Sequence, residues 1–156
     1  MLFTGHSEHT IDAKLRLAVP AKYRKQWDEA RDGTMWYCVP WPDGSLRLYT
    51  QKTFEHLSDQ EPQTLTPNAD TAALEEMFAL AEPMTMDGQG RVGLQRYQLE
   101  LAALTPSEGE STIDVVIIGK RNRLEIRDRK SWAAGLKERF QRLPEVAERV
   151  SAKQRQ

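Results

Sequence analysis

The chain has 156 residues, of which 39% are hydrophobic and 29% charged, a balance typical of one soluble domain or two very small ones. Its longest aliphatic run, residues 115–118, is far shorter than the roughly 20 apolar residues that a membrane-spanning helix needs. The N-terminus lacks a basic patch followed by an apolar stretch, so we expect no signal peptide. The single cysteine, Cys38, excludes a disulfide framework and a four-cysteine zinc site. We therefore expect a cytoplasmic protein.

The formal net charge of −1 conceals separated basic and acidic stretches. Residues 1–27 carry a net charge of +3 and residues 120–130 a net charge of +4, whereas residues 55–88 contain eight acidic residues and no lysine or arginine. The basic run at residues 120–130 spans a predicted hairpin, so only part of it can form one patch. An anionic partner would therefore meet particular surfaces, and the small total charge argues against nucleic-acid binding through charge alone.

Two parts of the chain resemble each other, which indicates an internal duplication. The sequence IDAKLRLAV at residues 11–19 matches MDGQGRVGL at residues 86–94, and residues 34–57 match residues 112–136 at a slightly larger offset. The aligned pairs include Asp12 with Asp87, Arg16 with Arg91, Leu46 with Leu124, and Phe54 with Trp132. Because two Asp-x-x-x-Arg motifs are each followed by the same apolar pattern, we interpret them as two copies of one unit.

The first copy, residues 1–60, predicts a hairpin turn at its Asp-x-x-x-Arg motif, then a short strand that stops at Pro20. A short helix follows this proline, and a second hairpin turns at the Pro-Asp-Gly sequence of residues 42–44. A helix at residues 51–57 ends the copy. The connecting segment, residues 61–82, predicts a turn-rich linker and an amphipathic helix with Asp70 as its N-cap.

The second copy, residues 83–142, predicts the same order of elements, with its second hairpin turning at residues 119–122 and a closing helix at residues 130–140. The polar residues 143–156 are predicted as a C-terminal tail, either helical or frayed. A unit of about 60 residues buries little apolar surface alone. We therefore expect the two copies to pack as one body.

These motifs resemble the MraZ family, a two-copy member of the SpoVT/AbrB-like transcription regulators. The resemblance rests on FTGHSEHTIDAKLRLAVPAKYR at residues 3–24, on MDGQGRVGL at residues 86–94, and on the duplicated order of elements. It implies an α+β, β-rich fold of two tandem swapped-hairpin-type repeats, related by pseudo-twofold symmetry and carrying short helices. It also implies a ring-shaped homo-oligomer in the cytoplasm, associated with the nucleoid, that binds short repeated sites in double-stranded DNA. The expected role is repression of the division and cell-wall gene cluster.

The same resemblance assigns DNA contact to Arg16 and Arg91. An arginine beside a tight turn presents a rigid fork of five donors that suits a phosphate or a guanine edge. The alternative is that each arginine pairs with the aspartate of its own motif and locks the loop, and both roles can hold together. The candidate DNA-binding residues are Arg16, Arg91, Lys14, Lys22 and Arg24, and the motif and turn residues are Asp12, Asp87, Gly88 and Gly90.

Two features depart from the family pattern. Leu15 stands where the first motif usually has glycine, so a positive φ there would cost on the order of 1 kcal/mol unless the loop adopts another turn. The helix between the copies is commonly basic in the family, whereas here Glu75 and Glu76 lie in an acidic stretch. An alternative function is therefore an oligomeric interaction scaffold of the same fold that has lost DNA binding.

No motif indicates an enzyme, a cofactor or a metal site. GQGRVG at residues 88–93 has the glycine spacing of a dinucleotide-binding loop, but no buried strand precedes it and its counterpart in the first copy lacks glycine. His6 and His9 face opposite sides of an extended segment, and no nucleophile-elbow or Walker sequence is present. We therefore predict a protein that is not an enzyme and takes no small-molecule substrate.

Overall fold

Eight strands and six helices make up the protein in a computed structural model that describes residues 1–156. The strands are β1 (His6–Ile11), β2 (Arg16–Ala18), β3 (Trp36–Trp41), β4 (Ser45–Thr50), β5 (Glu82–Met84), β6 (Arg91–Gly93), β7 (Ile113–Gly119) and β8 (Leu124–Asp128). The helices are α1 (Ala21–Gln26), α2 (Glu29–Asp32), α3 (Gln51–Asp59), α4 (Ala69–Leu80), α5 (Arg96–Leu101) and α6 (Arg129–Gln154). No helix combines the length and the apolar composition that crossing a lipid bilayer requires.

The strands form one six-stranded antiparallel sheet, in the order β1-β7-β8-β4-β3-β5, and a separate ribbon of β2 paired with β6. In the two copies β1 corresponds to β5, β3 to β7 and β4 to β8. Exchanging these counterparts gives the same strand order followed from the opposite edge of the large sheet. The first strand of each copy pairs with the hairpin of the other copy, and the two hairpins meet where β4 pairs with β8. These pairings confirm the predicted α+β fold of two swapped-hairpin repeats.

Both copies contribute to a single hydrophobic core. Leu17 of β2 and Val92 of β6 lie in the same buried cluster as Leu46, Leu48 and Leu124 of the large sheet. Because side chains alternate along a strand, the residues between Leu46 and Leu48 and beyond them point to the opposite face of the sheet. Helices α3 and α4 cover that outer face on the β3–β4 side.

Helix α4 forms as predicted, but its N-cap is Asn68 and not Asp70. The Asn68 side chain accepts a hydrogen bond of 2.9 Å from the backbone N–H of Thr71, whereas Asp70 lies inside the first turn. Asparagine and aspartate are about equally favourable N-caps, so residue type alone does not choose between positions 68 and 70. The helix starts at Ala69, which selects the earlier one.

Helix α6 is the longest element and continues without a break through Pro144 to Gln154. The residues after position 142 therefore extend this helix, so the helical alternative applies to most of the predicted C-terminal tail. The four-residue helix α2 has no counterpart in the second copy, where residues 105–112 form a loop. The divisions at residues 60, 82 and 142 remain predictions.

Candidate nucleic-acid interface

The two Asp-x-x-x-Arg motifs form hairpin loops of the same geometry. In each loop the aspartate N–H donates to the arginine carbonyl, at 3.1 Å between Asp12 and Arg16 and at 2.8 Å between Asp87 and Arg91. The aspartate carbonyl in turn accepts from the N–H of the residue before the arginine, at 2.9 Å in the first loop and 3.0 Å in the second. This pattern is that of a three-residue hairpin loop, which ends in a residue of left-handed conformation.

The left-handed residue is Leu15 in the first loop, with φ 62°, and Gly90 in the second, with φ 76°. Leu15 thus adopts the positive φ itself, and the alternative turn is not used. Left-handed backbone costs a residue with a side chain about 1–2 kcal/mol. Contact of the Leu15 side chain with the hydrophobic core offsets part of this cost. At Gly90 a Cβ atom would overlap the Arg24 side chain, so any other residue there would have to adopt a left-handed conformation and also displace Arg24.

Both aspartates hold the backbone of their own loop. Asp12 Oδ1 accepts from the backbone N–H groups of Lys14 at 3.0 Å and Arg16 at 2.8 Å. Asp87 Oδ1 accepts in the same way from Gln89 at 2.8 Å and Arg91 at 3.0 Å. These backbone hydrogen bonds, chiefly the one from the arginine N–H, hold the pKa of both carboxyls below its ordinary value of 3.8. Both carboxyls are therefore ionised at neutral pH.

Each arginine is anchored at one atom and open at the others. Arg16 Nε donates to Asp12 Oδ2 at 2.8 Å, and Arg91 Nε donates to Asp87 Oδ2 at 2.9 Å. The terminal nitrogens Nη1 and Nη2 of both arginines make no hydrogen bond within the chain, and both side chains are about one-third exposed. The locking ion pair is thus present, and it orients a guanidinium group whose outer donors face solvent.

The β2–β6 ribbon brings the two arginines onto one face. Arg16 lies opposite Gly93, and Arg91 lies opposite Ala18, so the two arginines are diagonal neighbours across the pair of strands. In an antiparallel pair such diagonal residues are about 7–8 Å apart. Gly93 and Ala18 are exposed on this same face, and their small size leaves both guanidinium groups accessible.

The other predicted cations lie near the loops, in different states. Lys14 is exposed in the first loop. Lys22 Nζ donates to the Thr4 carbonyl at 3.2 Å and lies 4.8 Å from the centroid of the Tyr23 ring. Arg24 Nε donates to the Val19 carbonyl at 3.0 Å, and its side chain crosses Gly90, so a first-copy cation lies against the second-copy loop.

The contact of Arg24 with the second loop is the feature that sequence reasoning missed. The only signal for it is the glycine itself, because Gly90 leaves room for a neighbouring side chain. Gly88, at the tip of the same loop, faces open space, since a Cβ atom added there would have no neighbour within 4 Å. The predicted turn residues Gly88 and Gly90 therefore differ in what surrounds them, although both lie in the loop before Arg91.

Two of the six cations in the basic run at residues 120–130, Arg123 and Arg127, are held by acidic side chains. Glu125 is almost fully buried, and its two oxygens accept from Arg123 Nε and Arg127 Nε, both at 3.0 Å. Arg127 also donates to Asp43 at 2.7 Å. These two arginines are therefore held in a structural network on the large sheet, away from the ribbon that carries Arg16.

Two features place the chain in a class of two-copy swapped-hairpin proteins. Its Asp-x-x-x-Arg loops share the β2–β6 ribbon, and in the large sheet the first strand of each copy pairs with the hairpin of the other. A family model described as "MraZ protein, putative antitoxin-like" matches residues 2–75 and 77–155. The chain therefore belongs to the MraZ family, which confirms the resemblance drawn from its motifs.

Relatives in three bacteria are similar to the chain along nearly its whole length. Proteins named "Transcriptional regulator MraZ" from Salinispora tropica, Mesoplasma florum and Ligilactobacillus salivarius are 32%, 30% and 31% identical to it. The alignments cover 96% of this chain in each case, and 97%, 96% and 96% of the respective relatives. Both copies of the repeat are therefore present in proteins that carry this name.

Proposed function

We propose that the protein is a transcriptional regulator that binds double-stranded DNA through its two Asp-x-x-x-Arg loops. The observation that carries this proposal is the pair of guanidinium groups of Arg16 and Arg91, each fixed at Nε and open at Nη1 and Nη2, on one exposed face. An arginine that is already oriented loses little side-chain freedom when it contacts a phosphate or a guanine edge. The names of the relatives support the regulatory role.

The additional cations supply the positive charge that the motif pairs lack. Asp12 and Asp87 offset the charges of their arginines, so the net charge of the surface depends on its other residues. Lys14 stands in the first loop and Arg24 lies against the second, so each arginine has one further cation nearby. In this proposal Lys14, Lys22 and Arg24 contact phosphates, which position the protein, while Arg16 and Arg91 read the bases.

The proposed active form is a homo-oligomeric ring that represses the division and cell-wall gene cluster in the nucleoid of the cytoplasm. Two arginines on one ribbon make a small contact, and a net charge of −1 adds no general attraction to DNA. Several subunits that face successive sites multiply such weak contacts by raising the effective concentration of each. The exposed apolar side chains of α6 support self-association.

Fluorescence anisotropy with labelled duplexes tests the DNA-binding proposal. The intact protein is titrated against the DNA upstream of its own gene and against a scrambled duplex, at two salt concentrations. We expect selective, salt-sensitive binding that weakens about tenfold or more in Arg16→Ala and in Arg91→Ala, because a base contact of this kind is worth about 1–3 kcal/mol. The matched control is Arg96→Ala, an exposed arginine on α5 outside the ribbon, which should keep the original affinity within about twofold.

The interaction scaffold is the competing function, and the exposed Glu75 and Glu76 on α4 are the observation that favours it. A scaffold would show no selective duplex binding while remaining folded and oligomeric, and the Arg16→Ala and Arg91→Ala variants would bind partners unchanged. Each variant is therefore first compared with the original protein by thermal unfolding, because loss of an Asp–Arg pair can also loosen a loop. The absence of selective duplex binding by folded, oligomeric protein would reject the DNA-binding proposal.

A further inference from the structure

A cavity of about 190 Å³ lies between the outer face of the β3–β4 hairpin and helices α3 and α4. Its apolar lining is mainly aromatic and includes Trp41, Tyr49, Phe54, Leu57, Met77 and Phe78. An apolar cavity of about 150 Å³ is large enough for benzene. This cavity therefore has room for one small ring with a short substituent.

One side chain in the wall carries an unsatisfied donor. Arg47 lines the cavity, and its Nε is buried without a hydrogen-bond partner. The guanidinium carbon lies 4.5 Å from the centroid of the Trp41 ring, and Nη2 lies 3.8 Å from Asp43 Oδ2, too far for a hydrogen bond. Buried donors are almost always paired, because water is no longer available to accept from them. Arg47 Nε thus lacks an acceptor, and no hydrogen bond within the chain holds the guanidinium group.

The carboxylates near Arg47 are already occupied by other arginines. Glu125 lies directly opposite Arg47 in the β4–β8 pair, yet its oxygens accept from Arg123 and Arg127. Asp43 Oδ2 accepts from Arg127 Nη2 at 2.7 Å, whereas Arg47 Nη2 lies 3.8 Å from the same oxygen. Three guanidinium groups therefore share two carboxylates, and the surplus positive charge resides at the arginine without an acceptor.

We propose that this cavity binds a small aromatic monocarboxylate, whose ring packs among the aromatic side chains and whose carboxylate pairs with the guanidinium group of Arg47. The volume of the cavity limits the ligand to about one ring. Glu61 lies exposed at the rim and disfavours a second negative charge on the ligand. The site is separate from the β2–β6 ribbon, so it goes beyond the proposed DNA binding and its test needs no DNA.

Benzoate is the probe, and benzyl alcohol is its neutral counterpart. The full chain is titrated with each at constant ionic strength, while proton–nitrogen spectra record the arginine Nε–H resonances. We expect a saturable shift of the Arg47 resonance with benzoate, assigned by its absence in Arg47→Met. Benzoate should bind on the order of tenfold more tightly than benzyl alcohol, since a hydrogen bond to a charged group is stronger than a neutral one.

Two variants separate the contributions of charge and cavity. Arg47→Met should reduce benzoate affinity to that of benzyl alcohol, whereas the control Arg96→Met should leave it unchanged. Met77→Trp fills the cavity with Arg47 in place and should abolish binding of both compounds, which decides the matter if Arg47→Met fails to fold. Equal affinity for benzoate and benzyl alcohol, an Arg47 resonance insensitive to benzoate, or full affinity in Arg47→Met would each overturn the proposal.

Discussion

At Leu15 and Gly90 the two copies solve the same turn with different residues. Both positions have a positive φ, but only the first carries a side chain, which packs on the core. In the second loop the side chain of Arg24 fills the space beside the Gly90 backbone. The two copies of the motif are therefore not equivalent. The first loop has a strained backbone at Leu15, whereas the second packs against Arg24 at Gly90.

Substitution of Gly90 by alanine should destabilise the protein, because alanine would adopt a left-handed conformation and displace Arg24. We expect the free energy of unfolding to fall by about 1–2 kcal/mol, measured by urea denaturation. Gly88→Ala is the matched control, since Gly88 lies in the same loop with open space around it and without a positive φ. Both changes remove the same flexibility from the unfolded chain. Equal stability of the two variants would contradict this account of the loop.

Among the elements, those with local signals could be predicted from the sequence. The β3–β4 hairpin follows from its Pro-Asp-Gly turn, and the loop ion pairs follow from residues four apart in the chain. Helix α2 could not be predicted from the sequence, because its four residues are too few to show helical periodicity. Its N-cap, Asp28, is the only sign of it in the sequence.

Pairing between distant parts of the chain could not be derived from local patterns. The exchange of β1 and β5 between the hairpins is expected only from the family resemblance, because strand sequences do not identify their partners. The same limit applies to the candidate site. Each Asp–Arg pair is local, but the common face of Arg16 and Arg91 depends on the register of β2 and β6.

Helix α4 provides a test of which residue starts an element. Asn68→Ala removes the hydrogen bond to the Thr71 N–H and should lower the free energy of unfolding by about 1 kcal/mol. Asp70→Ala removes only a favourable charge in the first turn, worth about 0.3–1 kcal/mol at low salt. Urea denaturation at high salt separates them, since screening weakens the charge contribution and leaves the cap. A larger loss in Asp70→Ala at high salt would show that Asp70 is the cap.

For the whole molecule, the shared core and the long last helix have opposite consequences. The core contains side chains of both copies, so the two repeats bury apolar surface against each other within one chain. Helix α6 instead extends beyond it with no buried residue. Its apolar side chains recur at a spacing that keeps one face of a helix, and they are Leu136, Phe140, Leu143, Val146 and Val150. An exposed apolar stripe of this kind is typical of a contact surface.

The double substitution Phe140→Glu and Leu143→Glu should therefore lower the molecular mass in solution, measured by light scattering after size exclusion, because it places two charges in the apolar stripe of α6. The control, Ala134→Glu with Gln141→Glu, adds the same charge on the opposite side of the helix and should keep the original mass. If DNA binding depends on several subunits acting together, the stripe variant should also lose about a hundredfold or more in duplex affinity with both loops intact. An unchanged mass in the stripe variant would exclude this face of α6 as the subunit contact. Unchanged duplex affinity at a reduced mass would show that DNA binding does not depend on the full assembly.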